Sequence, residues 1–436
     1  MAEFTCEIIK KEGPTKENLS LEIKGNKEYG LNRTIINSIR RTLLSSIETV
    51  AFRTTYENSD IVIEKNETSL HNEFILDRIG LIPLYIDPTK KSNHYLFSLN
   101  VRADPKHPVT LITAEDFEIF ELKGEILNSS DYENDMITNL DRTHYKDTPI
   151  TSKEHSEIFR PYKYNSKNYY CLLHELKSTN SEENIQELVL YGSPSVSIGK
   201  EDARWQGVSC ATYSFKIDEE MFQKVLEDKI RNAQVDGADR EAFAKDLELK
   251  ESQRYFHRDV KSEAYWYNFD LSSQHFLSSK DLLIRSIDIL IESLETFKEE
   301  IERLSDPENT KNLIKMIFSK DEGKHNIVRI VVTMPHVIQI NNVFHGMDDS
   351  ICAAIQSHMS NHMISDKTVI NVCGYKRTHP LENSYIFTVS VNPNHHLGGM
   401  DAEENIRKNA IVQIFSECCM ELIGIYNSIK VETSSI

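Results

Sequence analysis

The chain has 436 residues, 39% of them hydrophobic and 27% charged, and a formal net charge of −18. That length exceeds one ordinary core and predicts two or three domains. The acidic balance disfavours general binding of phosphate backbones and leaves room only for local basic spots. No stretch approaches the roughly 20 apolar residues of a membrane helix, and the N-terminus lacks a signal-type apolar core. The seven cysteines are scattered and form no CxxC pair. They argue against a cysteine zinc site and for buried thiols in a reducing compartment.

Phe4–Lys10 and Leu19–Lys24 read as strands around a Gly13-Pro14 turn. Leu31, Ile35, Ile39, Leu43 and Ile47 recur every four residues, with Ile36 and Leu44 widening the stripe, and predict a helix. Strands follow at Thr49–Thr55 and Ile61–Glu64. Thr68 or Ser69 can then cap a helix carrying Leu70, Phe74, Ile75 and Ile79, stopped by Gly80 and Pro83. From Asp87 to Gln206 the pattern is irregular, as in an inserted subdomain, with an exposed segment at Asn128–Lys153. Ser209–Lys216 returns to strand character, and Asp218–Leu249 is acidic and helix-forming.

Ser278 with Asp281 resembles a capping box at the start of a long helix. Along it Leu283, Ile287, Leu290, Leu294, Phe297, Ile301 and Leu304 alternate four and three apart. This heptad seam fits a core helix or half of a helix pair at a dimer-like interface. After Asp306-Pro307, residues 306–324 read as a linker, although Leu313, Ile314, Ile317 and Phe318 could extend helix. Ile327–Val332 and Val337–Val343 then read as a hairpin around Pro335. Ser350–Met363 reads as a helix with Ile351, Ile355, Met359 and Met363 on one side. Strands at Val369–Cys373 and Tyr385–Val391 precede a final helix opened by Asp401 and Glu404. Its stripe is Ile411, Ile414, Phe415, Cys418, Leu422, Ile425 and Ile429.

The expected fold is α+β. Residues 1–55 and 207–305 form a first module, 56–206 a mixed inserted subdomain, and 325–436 a second module. Each module is a small antiparallel sheet with a helix after its second strand and a long helix at its end. Packing the two through their helices would bury sheet faces that neither covers alone, an intramolecular pseudo-dimer. The interface would be carried by Leu283, Ile287, Leu290, Leu294, Phe297 and Ile301 against Ile411, Phe415, Leu422 and Ile425.

Two motifs, NSIRRTLLSSIETVAF (Asn37–Phe52) and ETSLHNEFILDRIGLIPL (Glu67–Leu84), resemble the signature of the α-like family of RNA polymerase subunits, nearest to the third subunit of RNA polymerase II. Its marks are Glu73, Phe74, Arg78, Gly80 and Pro83. SIGKEDARWQGVSCATYSF (Ser197–Phe215) is similar to the family's segment around Trp205, with Asp202 where His is usual. Tyr267–Leu290 looks like its closing strand and long helix. CGYKRTHPLENSYIFTVSV (Cys373–Val391) resembles the eleventh subunit through Gly374, Tyr375, His379 and Pro380. Phe344–Ile355 departs from that pattern, lacking a Leu-Gly-Asn turn. The resemblance implies a non-catalytic assembly subunit in which the third- and eleventh-type modules are fused, as in polymerases of large cytoplasmic DNA viruses. It also implies the second-largest and largest subunits as partners, with small zinc-binding subunits besides, no cofactor, and contact with DNA or RNA only through them.

Arg40 and Arg41 lie on a helix whose apolar residues face the core, so at least one of them projects outward. They are a solvated face or, as the resemblance implies, a fork that with Asn37 docks the second-largest subunit. Gly192–Glu201 has six residues between its glycines and Glu201 where a Mg²⁺-binding hydroxyl should stand, which fails the phosphate-loop pattern and reads as a surface turn. Asp236 and Asp239 are two isolated carboxylates, short of a two-metal cluster. His358 and His362 share a helix face without the further ligands a metal needs, and Pro88–Pro108 lacks the cysteines of metal-binding family members. No nucleophile elbow appears. The alternatives are an interaction protein outside a polymerase and an enzyme with an unrecognised metal site in the insertion.

Overall fold

The computed structural model describes residues 5–10, 17–27, 31–55, 58–90, 94–124, 141–178, 185–233, 238–305, 313–318, 327–333, 338–340, 343–345, 347–365, 368–379, 382, 384–392, 395 and 404–435. Among them the helices are α1 Arg33–Ser45, α2 Asn72–Gly80, α3 Ser152–Phe159, α4 Glu219–Ala233, α5 Ala238–Glu251, α6 Ser279–Glu302, α7 Asp349–His358 and α8 Glu404–Ser435. The chain divides into two units, one of residues 1–46, 209–273 and 278–436, the other of residues 47–208 and 274–277.

The first unit holds two four-stranded sheets. Period-two alternation buries one face of each strand: Leu19, Leu21 and Ile23 in Asn18–Gly25, and Tyr267, Phe269 and Leu271 in Trp266–Ser273. The order of the first sheet is Cys6–Lys10, Asn18–Gly25, Trp266–Ser273, Val208–Phe215. The second runs Ile314–Phe318, Ile327–Thr333, Ser384–Val391, Ile370–Arg377. Both therefore follow the order first, second, fourth, third, with a helix (α1 or α7) between the second and third strands and a long helix (α6 or α8) after the fourth.

Helices α6 and α8 pack together. Lys280 Nζ donates to Ser434 O at 2.9 Å, Lys430 Nζ lies 2.5 Å from Asp288 Oδ1, and Ser416 Oγ donates to Glu302 Oε1 at 2.5 Å. Low numbers on one helix meet high numbers on the other, so the pair is antiparallel. All seven seam residues from Leu283 to Leu304 are buried. Phe297 of α6 reaches the second sheet, with ring centroids 6.1 Å from Phe387 and 6.4 Å from Phe415. On α8, Ile411, Phe415, Cys418, Leu422, Ile425 and Ile429 are buried and Ile414 is half-buried. Helix α1 packs on α6 and α7. Its Ser38 Oγ is 2.6 Å from Tyr426 Oη of α8, and Asn32, which caps α1, donates to Ser357 of α7.

In the second unit, strands Ile61–Asn66, Glu187–Gly192, Tyr95–Arg102 and Phe117–Glu121 form a sheet in that order. Two-strand pairs join Val109–Thr113 to Leu172–Lys177 and Glu48–Ala51 to Ser195–Ile198. Phe52, Phe97, Phe117 and Phe159 form its aromatic core, Phe52 and Phe97 meeting edge to face at 5.1 Å.

Several expectations are corrected. Residues 314–318, read as linker, form a strand antiparallel to Ile327–Thr333, because the apolar Ile314 is buried once a partner supplies the ladder. The expected hairpin of 327–332 with 337–343 does not form. Ile327–Thr333 pairs instead with Ser384–Val391, and Ile338–Ile340 with Val343–His345. His71, rather than Thr68 or Ser69, precedes α2. Phe74 is 58% exposed instead of joining the stripe, since at about 100° per residue it points away from the buried Ile75 and Ile79. The strand expected over 49–55 is Glu48–Ala51. Asn128–Lys153 lies outside the described residues up to position 140, as do Asp236, Pro380, Asp401 and the Pro335 and Gly13-Pro14 turns.

Candidate docking face

Helix α1 is amphipathic by construction. Ile35, Ile36, Ser38, Ile39, Thr42 and Leu43 are buried, so neighbours one residue off that stripe point outward. Arg41 is exposed and Arg40 half-buried. Asn37, one turn earlier, accepts a hydrogen bond from Arg40 Nε at 3.0 Å, which leaves the terminal guanidinium nitrogens directed elsewhere. A planar donor set held this way can take a carboxylate in two parallel hydrogen bonds. Beyond it, Tyr375 of Ile370–Arg377 is half-buried with its ring 6.2 Å from Phe387. Burial pushes the Tyr375 phenol up, and the nearby charge of Arg41 opposes that shift. Gly374 beside it has open space where a side chain would stand, and His379 is exposed.

The other marked residues lie in the second unit and divide by burial. Trp205 is buried, its Nε1 donating to Ser195 O at 3.2 Å, with the Arg53 guanidinium 4.8 Å from its ring. Asp202, where the family pattern has His, caps the turn at Ala203–Trp205 and holds Arg204 Nε at 3.1 Å. Arg204 Nη1 in turn donates to Phe52 O at 3.2 Å and to Thr54. Gly80 fits because a Cβ there would stand 2.8 Å from Arg204 Nη1 and 2.9 Å from Thr54 Oγ1. These residues hold the unit's core together. By contrast Glu73, Phe74, Arg78 and Pro83 are exposed, and Arg78 Nη1 donates to Leu173 O at 2.6 Å.

The motifs weighed for chemistry find structural places. Gly192 ends a strand and sits so close to Asp60 O that a Cβ would clash with it. Ser195–Ile198 is itself a paired strand, where a surface turn was expected. His358 is buried with Nε2 2.8 Å from Glu421 Oε2, and its ring lies 4.9 Å from that of His362. Among the described residues no group of three or more His, Cys, Asp or Glu is placed to hold a metal ion, and no helix is long and apolar enough to cross a membrane.

The described residues define an α+β protein of antiparallel sheets and packed long helices. The chain belongs to the family described as RNA polymerase Rpb3/Rpb11 dimerisation domain, which it matches over residues 27–294. It is also similar to the DNA-directed RNA polymerases I and III subunit rpac1 of Dictyostelium discoideum, 32% identical over 110 residues. That alignment covers 23% of this chain and 27% of the relative, so the chain spans about a quarter of the relative's length.

Proposed function

We propose that the chain is a non-catalytic assembly platform of a multi-subunit DNA-directed RNA polymerase, in which a third-subunit-like and an eleventh-subunit-like module clasp each other as an intramolecular pseudo-dimer. The observation that carries this reading is the repeated strand order of the two sheets, each followed by a long helix, with those helices packed antiparallel. The family match adds the polymerase context. Fusion fixes the ratio of the two modules at one to one and raises their effective concentration.

In this account residues 1–55 with 207–305 and residues 325–436, extended back to Ile314, are the modules, and 56–206 is the insertion. The outer face of α1, with Arg40, Arg41 and Asn37, docks the second-largest subunit and, through it, the largest. Small zinc-binding subunits as further partners, and a viral enzyme working in the cytoplasm, rest on the motif resemblance alone.

Co-expression of the full chain with the second-largest subunit tests the docking role. Arg40→Glu and Arg41→Glu should each weaken the complex by about 2 kcal/mol or more, the scale of an interfacial hot spot, and the exposed Arg41→Glu should do so without moving the isolated chain's unfolding midpoint. Undiminished co-purification of both variants would remove α1 from the docking face.

A further inference from the structure

The second unit carries a hairpin, Tyr162–Tyr164 with Lys167–Tyr169, that pairs with no other strand among the described residues. Asn165 and Ser166 at its tip have φ of 46° and 61°, the left-handed pair that suits a two-residue turn and the twist of its arms. Tyr162 stands opposite Tyr169 and Tyr164 opposite Lys167. Because side chains alternate along a strand and cross-strand partners share a face, three tyrosines and one lysine lie on the same side. The tyrosines are 70%, 57% and 51% exposed in chain order. Three aromatic rings in solvent have no core to fill, and their arrangement calls for a partner.

Charge selects that partner. From Ile158 to His174 the sequence contains no carboxylate, while Arg160, Lys163 and Lys167 are present, in a chain with 68 acidic against 50 basic residues. Among the described residues neither Lys163 nor Lys167 is paired with a carboxylate, and both are exposed. An aromatic ladder flanked by free ammonium groups suits unpaired bases stacked on the rings, with phosphates against the lysines. A duplex keeps its bases stacked on each other and cannot use the rings. An acidic protein could also bury the rings, and loss of a protein partner is therefore one of the outcomes tested below.

We infer that this hairpin binds single-stranded nucleic acid directly, by stacking on Tyr162, Tyr164 and Tyr169 and by ion pairing of phosphates with Lys167, on the same face, and with Lys163, whose long side chain starts from the other face, across from Asn168. This departs from the expectation of indirect contact only, and it does not depend on the assembly role.

The test uses the full chain and fluorescence anisotropy with a labelled 12-nucleotide oligouridylate and a 12-base-pair duplex. The single strand should bind at low salt, and the duplex at least tenfold more weakly. Tyr162→Ala, Tyr164→Ala and Tyr169→Ala combined should weaken single-strand binding at least tenfold. Lys163→Glu with Lys167→Glu should flatten the log–log salt dependence by about 1.4, at about 0.7 for each phosphate no longer neutralised. The exposed positions should leave the unfolding midpoint unchanged, and the lysine pair remains informative if the tyrosine variant misfolds. No single-strand binding, equal binding of duplex, or wild-type binding by both variants would overturn the proposal. So would variants that keep oligouridylate but shed a polymerase subunit, since the hairpin would then be a protein-binding element.

Discussion

Gly80 and Gly374 make opposite demands on their surroundings. A methyl group at Gly80 would press on Arg204 Nη1 and Thr54 Oγ1, which are hydrogen-bonded to each other, while Nη1 also donates to Phe52 O and Asp202 holds the same guanidinium through Nε. Gly80→Ala should therefore destabilise by about 1–3 kcal/mol, the cost of overpacking, as a lower chemical denaturation midpoint. Gly374→Ala should leave that midpoint within about 0.5 kcal/mol, because the site is open and surface changes of this kind cost little. Tyr426 is buried with its hydroxyl 2.6 Å from Ser38 Oγ, which also donates to Ile35 O. Tyr426→Phe should cost about 1 kcal/mol, the worth of one hydrogen bond.

The buried histidines give the molecule a pH dependence. His275 accepts from Leu277 N at Nδ1 and meets Glu48 O at 2.7 Å with Nε2, an arrangement that suits the neutral ring. Burial lowers its pKa below the ordinary 6.5, as it does those of His94, His155 and His174, and it takes His362 to about 4. With folded values depressed, the unfolded chain binds more protons below pH 6.5. The stability these rings contribute is present above that pH and is lost as the solution is acidified towards the folded values. His275→Gln should shallow the slope of unfolding free energy against pH between 6.5 and 5, measured by urea titration. An unchanged slope would mean that His275 is not among the groups that set it.

At the scale of elements, α6 is legible in the sequence because its signal is local. Apolar residues at alternating spacings of four and three specify one helix face wherever the chain later packs. The outward arginines of α1, proposed as docking residues, are legible for the same reason, as adjacent arginines on an amphipathic helix, and the Asn37–Arg40 hydrogen bond follows from a spacing of three. Residues 314–318 are not legible. Five residues inside a charged stretch carry too little periodicity, and only the distant ladder of Ile327–Thr333 makes them a strand. The tyrosine hairpin has a signal of its own, the alternation of Tyr and Lys around Asn165-Ser166, but it is too short to stand out from an irregular region. Phe297→Ala should cost about 3–5 kcal/mol, since its buried ring packs against both Phe387 and Phe415, which also touch each other. The half-exposed Lys430–Asp288 pair between α8 and α6 should contribute about 1 kcal/mol or less in a double-mutant cycle.

At the scale of the whole molecule, two similar sheets contribute one long helix each to a shared buried layer, while the outer face of α1 stays available. The family match ends at residue 294, within α6, so the second module rests on strand order and packing rather than on that match. A buried aromatic cluster that draws Phe297 from one module and Phe387 and Phe415 from the other should hold them together without the covalent connection. A site-specific protease sequence placed between Ser305 and Leu313 of the full chain offers the most direct measurement. After cleavage, light scattering coupled to size exclusion should report a single species of unchanged mass containing both fragments in equal amounts. Fragments that elute apart under native conditions, each at its own mass, would contradict the clasp.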